Sequence, residues 1–239
     1  MTEKSSNSIF DENYPKILAD IAIAAEKSGR RPEDIILLGA TKTVSAEAVN
    51  HAISGGLGYI GENKVQELLD KWPYIEGEVH RHFIGHLQTN KVKYIIDKVE
   101  MIESVHSVKL AEEINKRARA IDKIMDILLE VNIGAEESKS GFAPSELESA
   151  IKAISKLENV KVRGLMTIPP VSEGEELKKY FTKMQELFVD IRDKNIDNIC
   201  MDYLSMGMSS DFAEAILCGA NIVRVGTSLF GARYYANNF

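Results

Sequence analysis

The hydrophobic pattern of the chain repeats one theme, in which short apolar runs alternate with longer amphipathic stretches. Short β-branched runs predict strands, and apolar residues recurring every three to four positions predict helices. The predicted strands are Ile35–Gly39, Gly58–Ile60, Val79–Ile84, Val99–Ile102, Met125–Val131, Val160–Leu165, Asn198–Tyr203 and Asn221–Val225. The predicted helices are Tyr14–Gly29, Ala46–Ser54, Lys64–Lys71, Asn90–Lys98, Val108–Ala120, Pro144–Leu157, Glu175–Asn195 and Asp211–Gly219.

This alternation predicts βαβ units and therefore an α/β fold with a parallel sheet. Eight strands in 239 residues fit a (β/α)8 barrel of the TIM type, with an open doubly wound sheet as the alternative. The chain contains no low-complexity linker and no repeat at a fixed period. We therefore expect one barrel domain over residues 13–239, preceded by a flexible N-terminus over residues 1–12.

Composition narrows the class of protein. The hydrophobic fraction of 44% and the charged fraction of 27% are those of a globular chain, which excludes wholesale disorder. A net charge of −7 argues against nucleic-acid binding. The sequence has no apolar stretch long enough for a membrane helix, no signal-peptide core and no cysteine framework, so we expect a cytoplasmic protein.

A barrel of this kind carries its site at the carboxyl ends of the strands, so the residues that follow each strand are the candidates. Lys42 follows the first strand. It is either a solvated loop lysine or a lysine at the barrel mouth that forms a Schiff base with a carbonyl. Asn63 follows the second strand beside Glu62, either as a helix cap or as a ligand contact.

The third and sixth strands offer weaker candidates. His80 and His82 share one face of the third strand, with His86 beyond its end. A metal site needs three or four converging ligands, so we favour His82 inside the barrel and His86 at the mouth. Met166, at the end of the sixth strand, fills the core or borders the site.

The loops after the seventh and eighth strands are rich in glycine and hydroxyl residues, as a phosphate site of a barrel requires. Gly226 and Thr227 form the predicted phosphate nest, with Ser205 or Ser209 assisting. The alternative is two ordinary turns in which a serine caps a helix. Arg224 lies in an apolar strand on the same face as Gly226, so its charge needs a partner or a ligand.

A lysine and a phosphate nest at one barrel mouth suit a phosphorylated carbonyl compound. Pyridoxal 5′-phosphate (PLP) satisfies both features, and sugar phosphates of Schiff-base aldolases remain an alternative. Several longer motifs span residues 35–231, namely ATKT, GENKVQE, HFIGHLQTNK, SKSGF, GLMTIPP, LSMGMSSDF and VRVGTSLFG. Through these motifs the chain resembles the pyridoxal phosphate homeostasis protein family, also called the YggS/PROSC family.

The resemblance implies a barrel like the N-terminal domain of alanine racemase, with PLP held as a Schiff base on Lys42. It implies that Arg224 faces the pyridine nitrogen and that Gly226, Thr227 and a serine of the LSMGMSS loop hold the phosphate. The cofactor-binding residues expected on this basis are Lys42, Asn63, Met166, Ser205, Ser209, Arg224, Gly226 and Thr227.

The family is regarded as non-catalytic, so the resemblance implies a PLP carrier in vitamin B6 homeostasis, with apo forms of PLP-dependent enzymes as candidate recipients. Barrel racemases carry a second, β-rich domain, and we expect none because the chain ends at Phe239. An arginine at the ring nitrogen also weakens the electron sink that carbanion chemistry needs. We expect a monomer that binds neither nucleic acid nor membrane. A minimal amino-acid racemase is the alternative, and an aldolase leaves Arg224 unexplained.

Overall fold

The computed structural model describes residues 6–136 and 139–231. Its strands are β1 (Ile36–Ala40), β2 (Tyr59–Glu62), β3 (His80–Phe83), β4 (Met101–Val105), β5 (Met125–Glu130), β6 (Val160–Met166), β7 (Ile199–Ser205) and β8 (Ile222–Val225). They are parallel and form a closed barrel in sequence order, with β8 paired to β1. The predicted (β/α)8 barrel is confirmed, and the open sheet is excluded.

Helices cover the outside of the barrel. They are α1 (Ser6–Lys27), α2 (Ala46–Ser54), α3 (Val65–Lys71), α4 (Val108–Arg119), α5 (Leu147–Ile154), α6 (Gly174–Asp193), α7 (Phe212–Leu217) and α8 (Thr227–Phe230). Short 3-10 helices occur at Pro32–Asp34, Trp72–Tyr74 and Thr89–Tyr94. Among the residues that the structure describes, no helix combines the length and the apolar character that crossing a bilayer takes.

Two hydrophobic layers follow from the alternation of side chains along each strand. Leu37 belongs to the large core between the strands and the helices, whereas Leu38 and Ala40 belong to a small cluster inside the barrel. A second interior cluster joins Met101, Leu128 and Met166. The interior is therefore a packed core, and its inward-facing row of residues leads up each strand to the mouth.

The N-terminal segment differs from the expectation. We predicted a flexible stretch over residues 1–12, but residues 6–12 belong to α1, and residues 1–5 lie outside the described part of the chain. The helix extends this far because Phe10 is buried and stacks on Phe230 of α8, with ring centroids 5.9 Å apart. The helix predicted at Asn90–Lys98 is also wrong in type, since the segment forms the 3-10 helix Thr89–Tyr94.

Candidate functional site

The closure of the barrel brings the ends of β1 and β8 together at the mouth. Gly39 pairs with Val225, so the next residues, Ala40 and Gly226, also lie side by side. A Cβ atom on Gly226 would stand 3.2 Å from the carbonyl oxygen of Ala40, which leaves little room for any other residue there. Lys42 is two residues beyond Ala40, half-buried in the turn that follows β1. The predicted lysine and the predicted phosphate nest therefore share one edge of the mouth.

Arg224 lies directly below this edge, inside the barrel. It is 4% exposed, and its guanidinium donates to the Ser205 hydroxyl at 2.5 Å and to the Thr167 carbonyl at 2.9 Å. Burial lowers the pKa of Arg224, against the opposing charges of Glu103 and Glu130. The guanidinium is thus a buried cation, held in a fixed direction by two oxygen acceptors.

Glu103 balances that cation. Its carboxylate is fully buried, accepts from the Ser205 hydroxyl at 2.6 Å and lies 4.0 Å from the Arg224 guanidinium. The other carboxylate oxygen is 2.6 Å from Nδ1 of His82. Burial alone would raise the pKa of Glu103, but the hydrogen bond and charge of His82 and the charge of Arg224 hold it below its usual value. Together, His82, Glu103, Ser205 and Arg224 form the interior network.

The inward position predicted for His82 is confirmed by this contact. His80, two residues earlier, pairs instead with Glu100 at the opposite end of the barrel, at 2.5 Å. His86 stacks on His106 with ring centroids 4.5 Å apart. The three histidines do not converge, and no group of three His, Cys, Asp or Glu side chains within residues 6–136 and 139–231 could hold a metal ion.

The loops after β7 and β8 meet at the start of α8. The Ser209 hydroxyl oxygen accepts from the backbone N–H groups of Gly226 and Ser228, both at 3.3 Å, and the Ser228 hydroxyl donates to the Ser209 carbonyl at 3.3 Å. Thr227 begins the helix and is exposed. Backbone N–H groups at a helix start, together with hydroxyls, are donors for an anion. The structure therefore brings Gly226, Thr227 and Ser209 together, and their binding of a phosphate stays a prediction.

Ser205 and Met166 occupy different places from the nest. The Ser205 hydroxyl is fully buried between Glu103 and Arg224, so its geometry supports a role in orienting Arg224 and not the phosphate contact we expected. Met166 is 1% exposed among the apolar residues inside the barrel, which supports the core role that the sequence left open. Its contact with a ligand stays a prediction.

Asn63 has a buried polar atom without a partner. Its Oδ1 accepts no hydrogen bond, although such atoms are nearly always satisfied in folded proteins. It does not cap α3, because Lys64 is the N-cap residue and no side chain caps that helix. The Asn63 backbone passes so close to Gly85 that a Cβ there would stand 2.0 Å from the Asn63 carbonyl oxygen. An unsatisfied amide at the end of β2 is a feature that a polar ligand would complete.

The sequence pattern did not point to two acidic residues inside the barrel. Glu103 lies inside an apolar strand, as Arg224 does, and that shared oddity was the signal that could have paired them. Glu130 ends β5 on the same face as Leu128 of the interior cluster. Burial raises the pKa of Glu130 to about 7, against the charge of Arg224. A carboxyl group at this position is therefore sensitive to pH near neutrality.

Comparisons with known proteins give the family of this chain. The family model described as alanine racemase, N-terminal domain, matches residues 39–234. A protein of Aquifex aeolicus (strain VF5) named pyridoxal phosphate homeostasis protein is 45% identical over 226 residues, which cover 94% of this chain and 98% of the relative. The chain belongs to the pyridoxal phosphate homeostasis protein family. The family-model match agrees with the alanine racemase N-terminal type of barrel that the resemblance implies.

Solved structures with a similar fold include PipY and an alanine racemase. The structure of PipY of Synechococcus elongatus PCC7942 with PLP bound has a TM-score of 0.78 and 30% identity, covering 88% of this chain and all of PipY at 100%. Alanine racemase of Clostridium difficile 630 has a TM-score of 0.72 and 18% identity, covering 95% of this chain and 57% of the racemase. The second likeness shows the shared fold alone.

Proposed function

We propose that this chain binds PLP as a Schiff base on Lys42 and serves in PLP homeostasis, as a carrier and not as an enzyme. The observation that carries the proposal is the pairing of β1 with β8. This pairing puts the ends of β1 and β8 side by side, which supports a common site for the half-buried Lys42, the Gly226–Thr227 loop and the buried Arg224. The relative of Aquifex aeolicus carries the homeostasis name, and PipY has been solved with PLP bound.

The residues present fit the three reactive parts of PLP. The phosphate dianion suits the start of α8, where the Gly226 and Ser228 N–H groups would exchange their 3.3 Å bonds to the Ser209 hydroxyl for phosphate oxygens. The aldehyde suits a lysine amine, and PLP bound in this way supplies an electron sink for amino-acid chemistry. The pyridine nitrogen needs a donor, and a guanidinium carries five N–H groups, so Arg224 can hold it while keeping Ser205 and Thr167. The unsatisfied Asn63 Oδ1 supports an additional polar contact.

Arg224 also supports the non-catalytic part of the proposal. A guanidinium keeps its proton at neutral pH, and Glu103 beside it favours the charged form further. A ring nitrogen facing such a group accepts a hydrogen bond without gaining the proton. The electron sink is then weaker than one that faces an acid. This favours holding the cofactor over turning over amino acids.

The deciding experiment follows PLP binding by the visible absorbance of the Schiff base. Wild-type protein with PLP should develop this band, and borohydride should fix the cofactor to Lys42 in a mass spectrum. Lys42→Ala should lose the band but still bind PLP, because the nest and Arg224 remain. Pyridoxal, which lacks the phosphate, should bind about ten- to a hundred-fold more weakly than PLP, since charged hydrogen bonds are lost.

A matched control is Lys64→Ala, which removes an exposed lysine next to the site residue Asn63. It should leave the band unchanged. No band in wild-type protein with excess PLP, or a band that survives Lys42→Ala, would contradict the proposal. Racemisation of alanine or serine by wild-type protein that is lost in Lys42→Ala would favour the racemase alternative.

The remaining parts of the proposal concern location and partners. The carrier acts in the cytoplasm as a monomer, hands PLP to apo forms of PLP-dependent enzymes, and binds neither nucleic acid nor membranes. The net charge of −7 supports the last point, since anionic surfaces repel an acidic protein. Sedimentation of the purified protein would test whether it is a monomer. Recovery of activity in an apo-enzyme mixed with the loaded carrier would test the transfer of PLP.

A further inference from the structure

A buried cluster of charges lies behind the turn that carries Lys42, on the side of α3. We call Glu62, Glu67 and Lys71 the α3 cluster. The Lys71 ammonium is 2.6 Å from a carboxylate oxygen of Glu62 and 2.9 Å from one of Glu67. The exposed fraction of the side chain is 9% for Glu62, 21% for Glu67 and 12% for Lys71. Charged groups with so little exposure destabilise the fold unless they are paired. The pairing in the α3 cluster is therefore a specific feature of this fold.

The α3 cluster holds both peptide groups of Lys42. Lys71 donates to the Thr41 carbonyl at 2.7 Å, which is the peptide group before Lys42. Glu67 accepts from the backbone N–H of Thr43, which is the peptide group after it. The Thr41 hydroxyl adds a bond of 2.6 Å to Glu62.

The turn held in this way is strained. Thr43 has φ of +64°, in the left-handed region that β-branched residues rarely adopt. Such a conformation persists only where the surroundings enforce it, and strained positions concentrate at functional sites. The bond from the Thr43 N–H to the partly buried Glu67 carboxylate supports this conformation. A backbone hydrogen bond of 3.0 Å from the Val44 N–H to the Thr41 carbonyl closes the same turn. Without the Glu67 contact, we expect the turn and the lysine that it carries to sample more conformations.

We propose that Glu67 and Lys71 are positioning residues for Lys42, fixing the peptide groups on its two sides so that its amine is presented to the mouth. This rests on the proposed function, because it assigns the α3 cluster to the lysine that forms the Schiff base. Pre-organisation of a reacting group saves the entropy of ordering it at the moment of reaction. The GENKVQE motif therefore supplies the two glutamates of the α3 cluster, Glu62 and Glu67, in addition to Asn63.

The test compares Glu67→Ala, Glu67→Gln and Lys71→Met with wild-type protein. The first readout needs no PLP: hydrogen exchange of the Thr43 amide and the labelling rate of Lys42 by an amine reagent, with Lys64 as the internal reference. Glu67→Ala should speed exchange of this amide about ten-fold or more and change the relative labelling of Lys42. Glu67→Gln keeps an acceptor oxygen, so its exchange and labelling rates should lie much closer to those of wild-type protein. The second readout is the rate of Schiff-base formation with PLP, which should fall about ten-fold in Glu67→Ala and in Lys71→Met.

Asp70→Ala is the matched control, because Asp70 is on the same helix but bonds Gln66 at the exposed surface, at 2.8 Å. It should behave as wild type in every readout. Faster Thr43 exchange with unchanged labelling and imine formation would show a purely structural role and overturn the proposal, as would unchanged exchange. If wild-type protein forms no Schiff base, the proposed function fails, while the PLP-free readout still decides whether the cluster governs Lys42. If Lys71→Met fails to fold, Glu67→Gln and Glu67→Ala carry the test.

Discussion

Strand β3 carries two histidines on one face, and each pairs with a glutamate, one just before β4 and one within it. At the amino-terminal end of the barrel, His80 and Glu100 are 55% and 54% exposed. Inside the barrel, His82 and Glu103 are 5% and 0% exposed, with similar distances of 2.5 Å and 2.6 Å in the two pairs. The chemistry and the separation are nearly the same, so the two pairs differ mainly in their access to water.

Arg163 of β6 and Arg224 of β8 repeat this difference. Arg163, toward the amino-terminal end, lies between Asp126 and Asp202 at 2.6 Å and 2.7 Å and is 24% exposed. Arg224 is 4% exposed at the carboxyl end. At the amino-terminal end water solvates the charges, so each ion pair contributes little to the free energy of unfolding. At the second end each charge depends on a specific partner, which is costly for stability but gives a fixed cation to a ligand.

The largest effect should follow from breaking the interior network. Glu103→Ala leaves Arg224 buried without its counter-charge and His82 without its acceptor. We expect the free energy of unfolding to fall by about 3–5 kcal/mol, as for other broken buried ion pairs. Urea denaturation followed by circular dichroism measures this. If this variant does not fold, Glu103→Gln, which keeps the hydrogen-bonding shape, should show a smaller loss.

The control for that prediction is the exposed pair. Glu100→Ala removes the corresponding partner of His80, and we expect a loss of less than about 1 kcal/mol. Equal losses in the two variants would show that access to water is not what separates the two ends. That result would contradict the comparison.

A second prediction concerns pH and Glu130. Burial raises its pKa from 4.5 to about 7, so the folded protein binds a proton between these values that the unfolded chain does not. Stability from this group is therefore present at low pH and is lost as pH rises through this window. Glu130→Gln should match wild type near pH 4.5 and exceed it by about 1–3 kcal/mol at pH 8.

Urea denaturation of both proteins across this pH range measures the difference. Glu112→Gln, at an exposed position of α4, is the control and should show no such trend. A Glu130→Gln difference that stays constant with pH would mean that the carboxyl group keeps its ordinary pKa in the folded protein.

The sequence predicted the fold more completely than the network. β-branched runs such as the one at Ile222–Val225 are strands because burial on both faces of the sheet requires apolar residues. Lys42 and the Gly226–Thr227 nest followed from their places at strand ends. Glu103 was missed because its contact with Arg224 joins β4 to β8 across the barrel, a distance that only the closed register fixes.

Local patterns failed where tertiary contacts decide the conformation. The start of α1 was predicted too late because the stretch before Tyr14 is mostly polar, whereas Phe10 finds its partner in Phe230 at the other end of the sequence. The two serines of the LSMGMSS loop could not be told apart by composition. Alternation along β7 turns Ser205 inward to Arg224, and the loop carries Ser209 to α8.

Apart from the control variants, the smallest effect should come from Arg163. Arg163→Ala removes two ion pairs and a contact with the Tyr203 ring, whose centroid is 5.2 Å away, yet all of these groups are partly exposed. We expect a loss of about 1 kcal/mol at a salt concentration of about 0.1 M and less at about 1 M, where charges are screened over ~3 Å. Arg163→Lys keeps the charge and should recover part of the loss. PLP binding should not change in either variant, because the interior network is intact. A loss of about 3 kcal/mol that salt does not reduce would mean that Arg163 is held as Arg224 is, and the contrast between the two ends would fail.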